Sequence, residues 1–123
     1  MVGDRDGGLD ALNTGHWDVV LDNSGYLPRQ VHDSASLLKD RAGRYIFTSS
    51  ISAYDTSSTD LPLRAASKVV TWTNPDSEDV GQYYAEFKAQ CEKHVQDLFA
   101  DKATVAAYLI HQDLQVDSVL GAC

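Results

Sequence analysis

Three short apolar runs, separated by stretches with helical spacing, constrain this chain more than any other feature. Val19-Val20-Leu21 is bounded by Asp18 and by the turn text Asp22-Asn23-Ser24-Gly25. An unbroken apolar run between turn signals predicts a strand buried in a parallel sheet. Arg44 to Ser49 is the second such strand and Ala103 to Ile110 the third. Between the first two, Pro28 opens a helix whose apolar positions are Val31, Ala35, Leu38 and Ala42, with Gly43 as its C-terminal stop. Between the second and third, the longest helix runs from about Glu78 to Ala100, with Tyr84, Phe87, Cys91, Val95 and Leu98 as its apolar stripe. Strands alternating with helices predict an α/β fold, a parallel sheet of three to four strands with helices on its faces.

The remaining text fills in around that frame. Met1-Val2 reads as a strand stub, and Gly8 to Asn13 as a short helix with Leu9 and Leu12 inward and Gly15 as a stop. Residues 55–78 lack sustained periodicity and hold two of the three prolines, which predicts a long surface loop. Loops of that length are uncommon unless they serve a function. Gln112 to Cys123 reads as a ragged helix or a disordered tail.

Composition excludes several classes. A chain of 123 residues with 43% hydrophobic and 23% charged residues is one globular domain rather than a disordered segment. A net charge of −8 argues against a nucleic-acid partner, which needs a basic stripe. No signal peptide or apolar run of membrane-spanning length is present, so no membrane partner and a cytoplasmic location are expected. Cys91 and Cys123 form no CxxC pair, and Cys91, on the apolar stripe, reads as a buried thiol. His16, His32, His94 and His111 fall on separate elements, whereas zinc needs three or four convergent ligands, so no metal site is expected. Asp4-Arg5-Asp6-Gly7-Gly8 lacks the third acidic ligand and the distal Glu of a calcium loop, and reads as a turn before a helix start.

The chemistry lies in two places. Tyr45-Ile46-Phe47-Thr48-Ser49-Ser50 is a strand that ends in hydroxyl residues, and downstream Tyr84 and Lys88 stand four apart on a helix. Residues at that spacing share one face, so the Lys88 ammonium is expected beside the Tyr84 phenol. A nearby positive charge favours phenolate, which makes Tyr84 a candidate general acid/base. No GxSxG elbow surrounds Ser50, which argues against a hydrolase nucleophile. Glu92, four residues after Lys88, reads equally well as a surface ion pair worth about 0.3–0.5 kcal/mol.

In this order the segments resemble the extended short-chain dehydrogenase/reductase family, the NAD-dependent epimerases and dehydratases. The strand ending at Ser50 is followed four residues later by Tyr54, and Tyr84, Lys88 and Glu92 match a YxxxKxxxE helix. Val2-Gly3-Asp4-Arg5-Asp6 resembles the family's third-strand exit, and Trp17 to Gly25 its fourth strand and the cofactor-lining turn. The resemblance covers residues 1 to about 105 and implies a partial Rossmann-like, NAD(P)-binding domain over 1–110, with a divergent tail over 111–123. It implies that Ser50 binds the reacting oxygen, Tyr84 transfers its proton, and Lys88 assists Tyr84 and holds the nicotinamide ribose. Asp4 would face the adenine, and Asn23, Ser24 and Gly25 would line the cofactor. The implied activity is NAD- or NADP-dependent oxidoreduction or epimerisation of a hydroxyl or carbonyl substrate such as a nucleotide sugar. The family's GxxGxxG turn, which seats the pyrophosphate, is absent from this sequence. An internal fragment is therefore expected. Its alternatives are an inactive truncated product or a non-catalytic NAD-sensing or scaffold protein. With the family's first strand gone, the Val19–Leu21 strand becomes an exposed edge, so self-association through it is also expected.

Overall fold

The computed structural model describes residues 3–55, 69–71, 76–109 and 117–122. Met1-Val2, most of the expected 55–78 loop, His111 and Cys123 lie outside the described residues. The elements are β1 (Val20–Asp22), α1 (Pro28–Leu38), β2 (Tyr45–Ser50), α2 (Val80–Phe99), β3 (Ala103–Leu109) and β4 (Asp117–Ala122). They form one sheet in the order β1-β2-β3-β4. The fold is α/β, with β1, β2 and β3 parallel and joined through α1 and α2.

The sheet is mixed rather than wholly parallel. β4 runs antiparallel to β3, pairing Thr104 with Ala122 through to Leu109 with Asp117. This corrects the reading of the tail as helix or disorder. Without β4 the outer edge of β3 would leave backbone groups unpaired, and Ser118-Val119-Leu120, which includes a β-branched residue, pairs with it as a strand.

Strand alternation fixes which side chains meet the helices. Val20, Tyr45 and Ala103 form one cross-strand row and Asp22, Phe47 and Val105 another. Tyr45, Phe47 and Ala103 join Val31, Ala35 and Leu38 of α1 and Cys91, Val95 and Phe99 of α2 in a single core. Both helices therefore cover the same face, as right-handed crossovers between neighbouring parallel strands require. Leu21 lies in the alternate row with Ile46 and Thr104 and is 63% exposed. The expectation of helices on both faces is corrected to one among the described residues.

Local chemistry explains the helix limits. Pro28 stands at the first turn of α1, where its missing N–H costs nothing. Gly43 does not stop that helix. Its N–H donates to the Trp17 carbonyl, and a Cβ there would lie 2.9 Å from the Asp18 oxygen, so glycine permits close backbone approach. Asp79 caps α2 by accepting from the Gln82 N–H, and Tyr83 has non-helical angles, so the continuous part of the helix begins at Tyr84. Phe99, rather than Leu98, completes the buried stripe.

Candidate functional site

The site is built on Lys88. This residue projects from α2 into the core side of the sheet and is 3% exposed. Its Nζ donates to the Gly25 carbonyl at 2.8 Å and to the Thr48 carbonyl at 2.9 Å. These acceptors belong to the turn after β1 and to the last residues of β2, so the ammonium sits at the carboxyl end of two adjacent parallel strands. Open α/β sheets bind ligands outside that end. The Nζ also lies 4.8 Å from the Tyr26 ring centre, 5.0 Å from Phe47 and 5.9 Å from Tyr84. Burial pulls the Lys88 ammonium below its ordinary range, against the upward pull of Cys91, Asp22 and Glu92. An ammonium has three donors, and two are taken.

Gly25 makes the first of those bonds available. A Cβ at this position would lie 2.5 Å from the Phe47 ring and 2.7 Å from Val31, so only glycine lets the turn press against the core and aim its carbonyl at Lys88. Asn23 and Ser24 of the same turn are exposed.

Ser50 ends β2, is 5% exposed, and its Oγ accepts from the Ser52 N–H at 3.2 Å. That bond caps a short 3-10 turn over Ile51–Ala53 and leaves the Ser50 hydroxyl proton for another acceptor. Tyr84, half-buried, lies with its ring centre 6.4 Å from that of Tyr26. The structure thus brings Tyr84 and Lys88 together, with Ser50 two residues beyond the Lys88 acceptor on β2.

Glu92 is not the surface partner of Lys88 that its spacing allows. It is 5% exposed, and its Oε1 accepts the Ser49 hydroxyl. Burial raises its carboxyl above the ordinary range, opposed by the Ser49 bond and by Lys88. The helix period held the signal, because position 92 falls on the same face as Lys88, Val95 and Phe99.

A second polar cluster was not anticipated. Arg5 grips the Asp22 carboxylate with both terminal nitrogens, at 2.7 and 2.5 Å, and Tyr45 donates to the same carboxylate at 2.6 Å. Ser24 and Ser34 each lie 3.2 Å from the guanidinium. Burial would raise the Asp22 carboxyl, but the bonds from Arg5 and Tyr45 outweigh it and hold it below the ordinary range. Burial and the Asp22 charge push the Tyr45 phenol upward. This cluster borders a cavity of about 330 Å³ beside β1, lined also by Asp4 and Ser24. Neither Ser50, Tyr84 nor Lys88 reaches that cavity. One oxygen of Asp4 accepts from the Asp6 N–H, and Asp4 and Gly8 exchange backbone bonds, which makes the Asp4–Gly8 segment a closed turn. The expected site residues therefore fall into two groups, Asp4 and Ser24 beside the cavity and Ser50, Tyr84 and Lys88 at the end of β2, with Gly25 bonded to Lys88.

A dinucleotide fits this set in part. A free Lys88 donor, the Tyr84 phenol and the Ser50 hydroxyl suit a ribose hydroxyl and a reacting oxygen. The pyrophosphate finds less. Arg5 is committed to Asp22, and Arg29 to Asp6 and Glu78. Among the described residues, no group of three or more His, Cys, Asp or Glu side chains is placed to hold a metal, and no helix is long and apolar enough to cross a membrane. The chain matches no protein-family model, no curated protein and no solved structure.

Proposed function

We propose that this chain carries the proton-transfer half of a Rossmann-like, NAD(P)-dependent oxidoreductase or epimerase, in a cytoplasmic protein acting on a hydroxyl or carbonyl substrate such as a nucleotide sugar. The observation that carries the reading is the Lys88 ammonium, buried beneath Tyr84 and tied to the carboxyl ends of β1 and β2 by two carbonyls. Its fixed place beside a phenol, at the end of the sheet outside which open α/β folds bind ligands, supports the reading. In this reading Ser50 donates to the reacting oxygen, Tyr84 passes a proton to or from it, and Lys88 stabilises the phenolate as it forms. The third Lys88 donor holds a ribose hydroxyl. A bound nicotinamide supplies the hydride exchange. Asp4 faces the adenine, and Asn23, Ser24 and Gly25 line the cofactor by their backbone.

The inactive or non-catalytic alternative draws on the committed arginines. Both readings share the weak pyrophosphate seat and differ at Tyr84. Titration of the labelled chain with NAD, followed by NMR, tests the cofactor contact that the catalytic reading requires. The proposal expects shifts at Gly25, Ser50, Tyr84 and Lys88 at millimolar cofactor, lost in Lys88→Met. Shifts confined to residues around Asp4, or none at all, defeat the catalytic reading. Association through the β1 edge belongs to the same proposal, since among the described residues β1 ends the sheet with Val19 and Leu21 exposed beside it. Sedimentation velocity showing a strict monomer at high concentration would remove it.

A further inference from the structure

Two successive cross-links tie α2 to the end of β2. The Lys88 ammonium donates to the Thr48 carbonyl, and one helical turn further on the Glu92 carboxylate accepts the Ser49 hydroxyl. Thr48 and Ser49 are the two residues immediately before Ser50. The partners are crossed in kind. The cation is held by neutral carbonyls and the anion by a neutral hydroxyl, although Lys88 and Glu92 neighbour each other on one helix face. Neutral dipoles alone compensate a buried ammonium poorly, and a charge left without a counter-charge in the interior neutralises.

We propose that Glu92 is a positioning residue of this site: it pins the end of β2 to α2 through Ser49, and its charge keeps the buried Lys88 protonated between the Gly25 and Thr48 carbonyls. The other groups acting on Lys88 do not replace it. The Cys91 thiol is neutral, since burial pushes it up to about 12. Asp22 is already paired with Arg5, whose positive charge opposes protonation of Lys88. The Tyr26, Phe47 and Tyr84 rings favour the cation by their faces only. Calling the site catalytic rests on the Ser-Tyr-Lys reading, but the cross-links do not.

The test follows Lys88 through its side-chain carbon and nitrogen signals in the full chain during a pH titration. Glu92→Gln keeps an acceptor for Ser49 and removes the charge. It should lower the proton affinity of Lys88 about tenfold, a midpoint lower by about one pH unit. Ser49→Ala keeps the charge and removes the bond. It should move that midpoint far less while speeding amide exchange at Ser50 to Ser52. A merely structural role for Glu92 would not separate the two variants in this way. An unchanged Lys88 midpoint in a folded Glu92→Gln chain overturns the proposal. If that variant does not fold, the natural chain decides: the Lys88 signals must show a step at the pH where the Glu92 carboxyl titrates, and a curve without that step overturns it. Because no turnover is read, a coupled titration with no response of Tyr84 to NAD would uphold Glu92 while defeating the catalytic reading.

Discussion

Two polar clusters lie on the same face of one sheet and solve the problem of buried charge in opposite ways. At β1, a carboxylate and a guanidinium meet directly, in a two-pronged grip completed by a tyrosine. At the α2–β2 junction, an ammonium and a carboxyl share a helix face yet bond to carbonyls and a hydroxyl instead. The outcome for protonation is correspondingly opposite. Asp22 is held below the ordinary carboxylate range, whereas burial drives Glu92 above it and Lys88 below the ordinary lysine range. A closed pair locks its charges and serves architecture. Charges resting on neutral dipoles stay responsive, which is the usual condition of groups that move protons.

The largest effect should come from breaking the closed pair. Asp22→Asn leaves the Arg5 charge half-buried without its partner. The expected loss is about 3 kcal/mol, the low end for a broken buried pair because Arg5 keeps some solvent. Glu92→Gln, whose amide still accepts from Ser49, should cost under about 1 kcal/mol at neutral pH. Urea unfolding of both variants checks the contrast, and equal losses would erase it.

Gly25→Ala comes next. A Cβ 2.5 Å from the Phe47 ring forces repacking, with an expected loss of about 1–3 kcal/mol. It should also disturb the Lys88 signals while leaving Arg5–Asp22 intact, which NMR reads directly.

Smaller, and sharper as a comparison, is pH. The Asp22 carboxyl titrates in the folded chain below its ordinary value of 3.8, so its stabilisation is present above that pH and lost as pH falls through the folded value. The Glu92 carboxyl titrates above 4.5, so the folded chain keeps a proton that the unfolded chain has released. That contribution favours folding near and below pH 4.5 and fades as pH rises through the folded value. Relative to the natural chain, Glu92→Gln should therefore gain stability as pH rises from 4.5, and the penalty of Asp22→Asn should shrink below 3.8. Midpoints of urea unfolding across that range check both slopes. Arg29→Ala should change nothing measurable in the same assay, because its pairs with Asp6 and Glu78 lie in solvent.

The frame was legible in the sequence because period and punctuation agree there. Pro28, the apolar positions of α1 and the run from Tyr45 to Ser50 fall where local chemistry puts them. Cys91 lies in the core, as its place on the stripe implied. Tyr84 and Lys88 come together because four residues make about one turn. What escaped the sequence was decided by partners distant along the chain. Arg5 and Asp22 are 17 residues apart, and nothing local marks them as a pair. Glu92 read equally well as a solvated surface partner because acidic residues usually are, yet Ser49, 43 residues away, gives it a buried place. β4 was missed for the same reason: a six-residue segment becomes a strand only where an open edge receives it.

Cys91 gives the molecule a built-in clock. It lies wholly inside, on α2 between Lys88 and Glu92, and burial pushes its thiol up to about 12. Alkylating reagents attack the thiolate and need access to it, so the folded chain offers them neither. Labelling can then proceed only in the moments when α2 parts from the sheet, and its rate counts those moments. With Cys123 changed to serine, the rate of modification at a single sulfur would report how often the lysine-bearing helix lifts away from the strand ends it is bonded to.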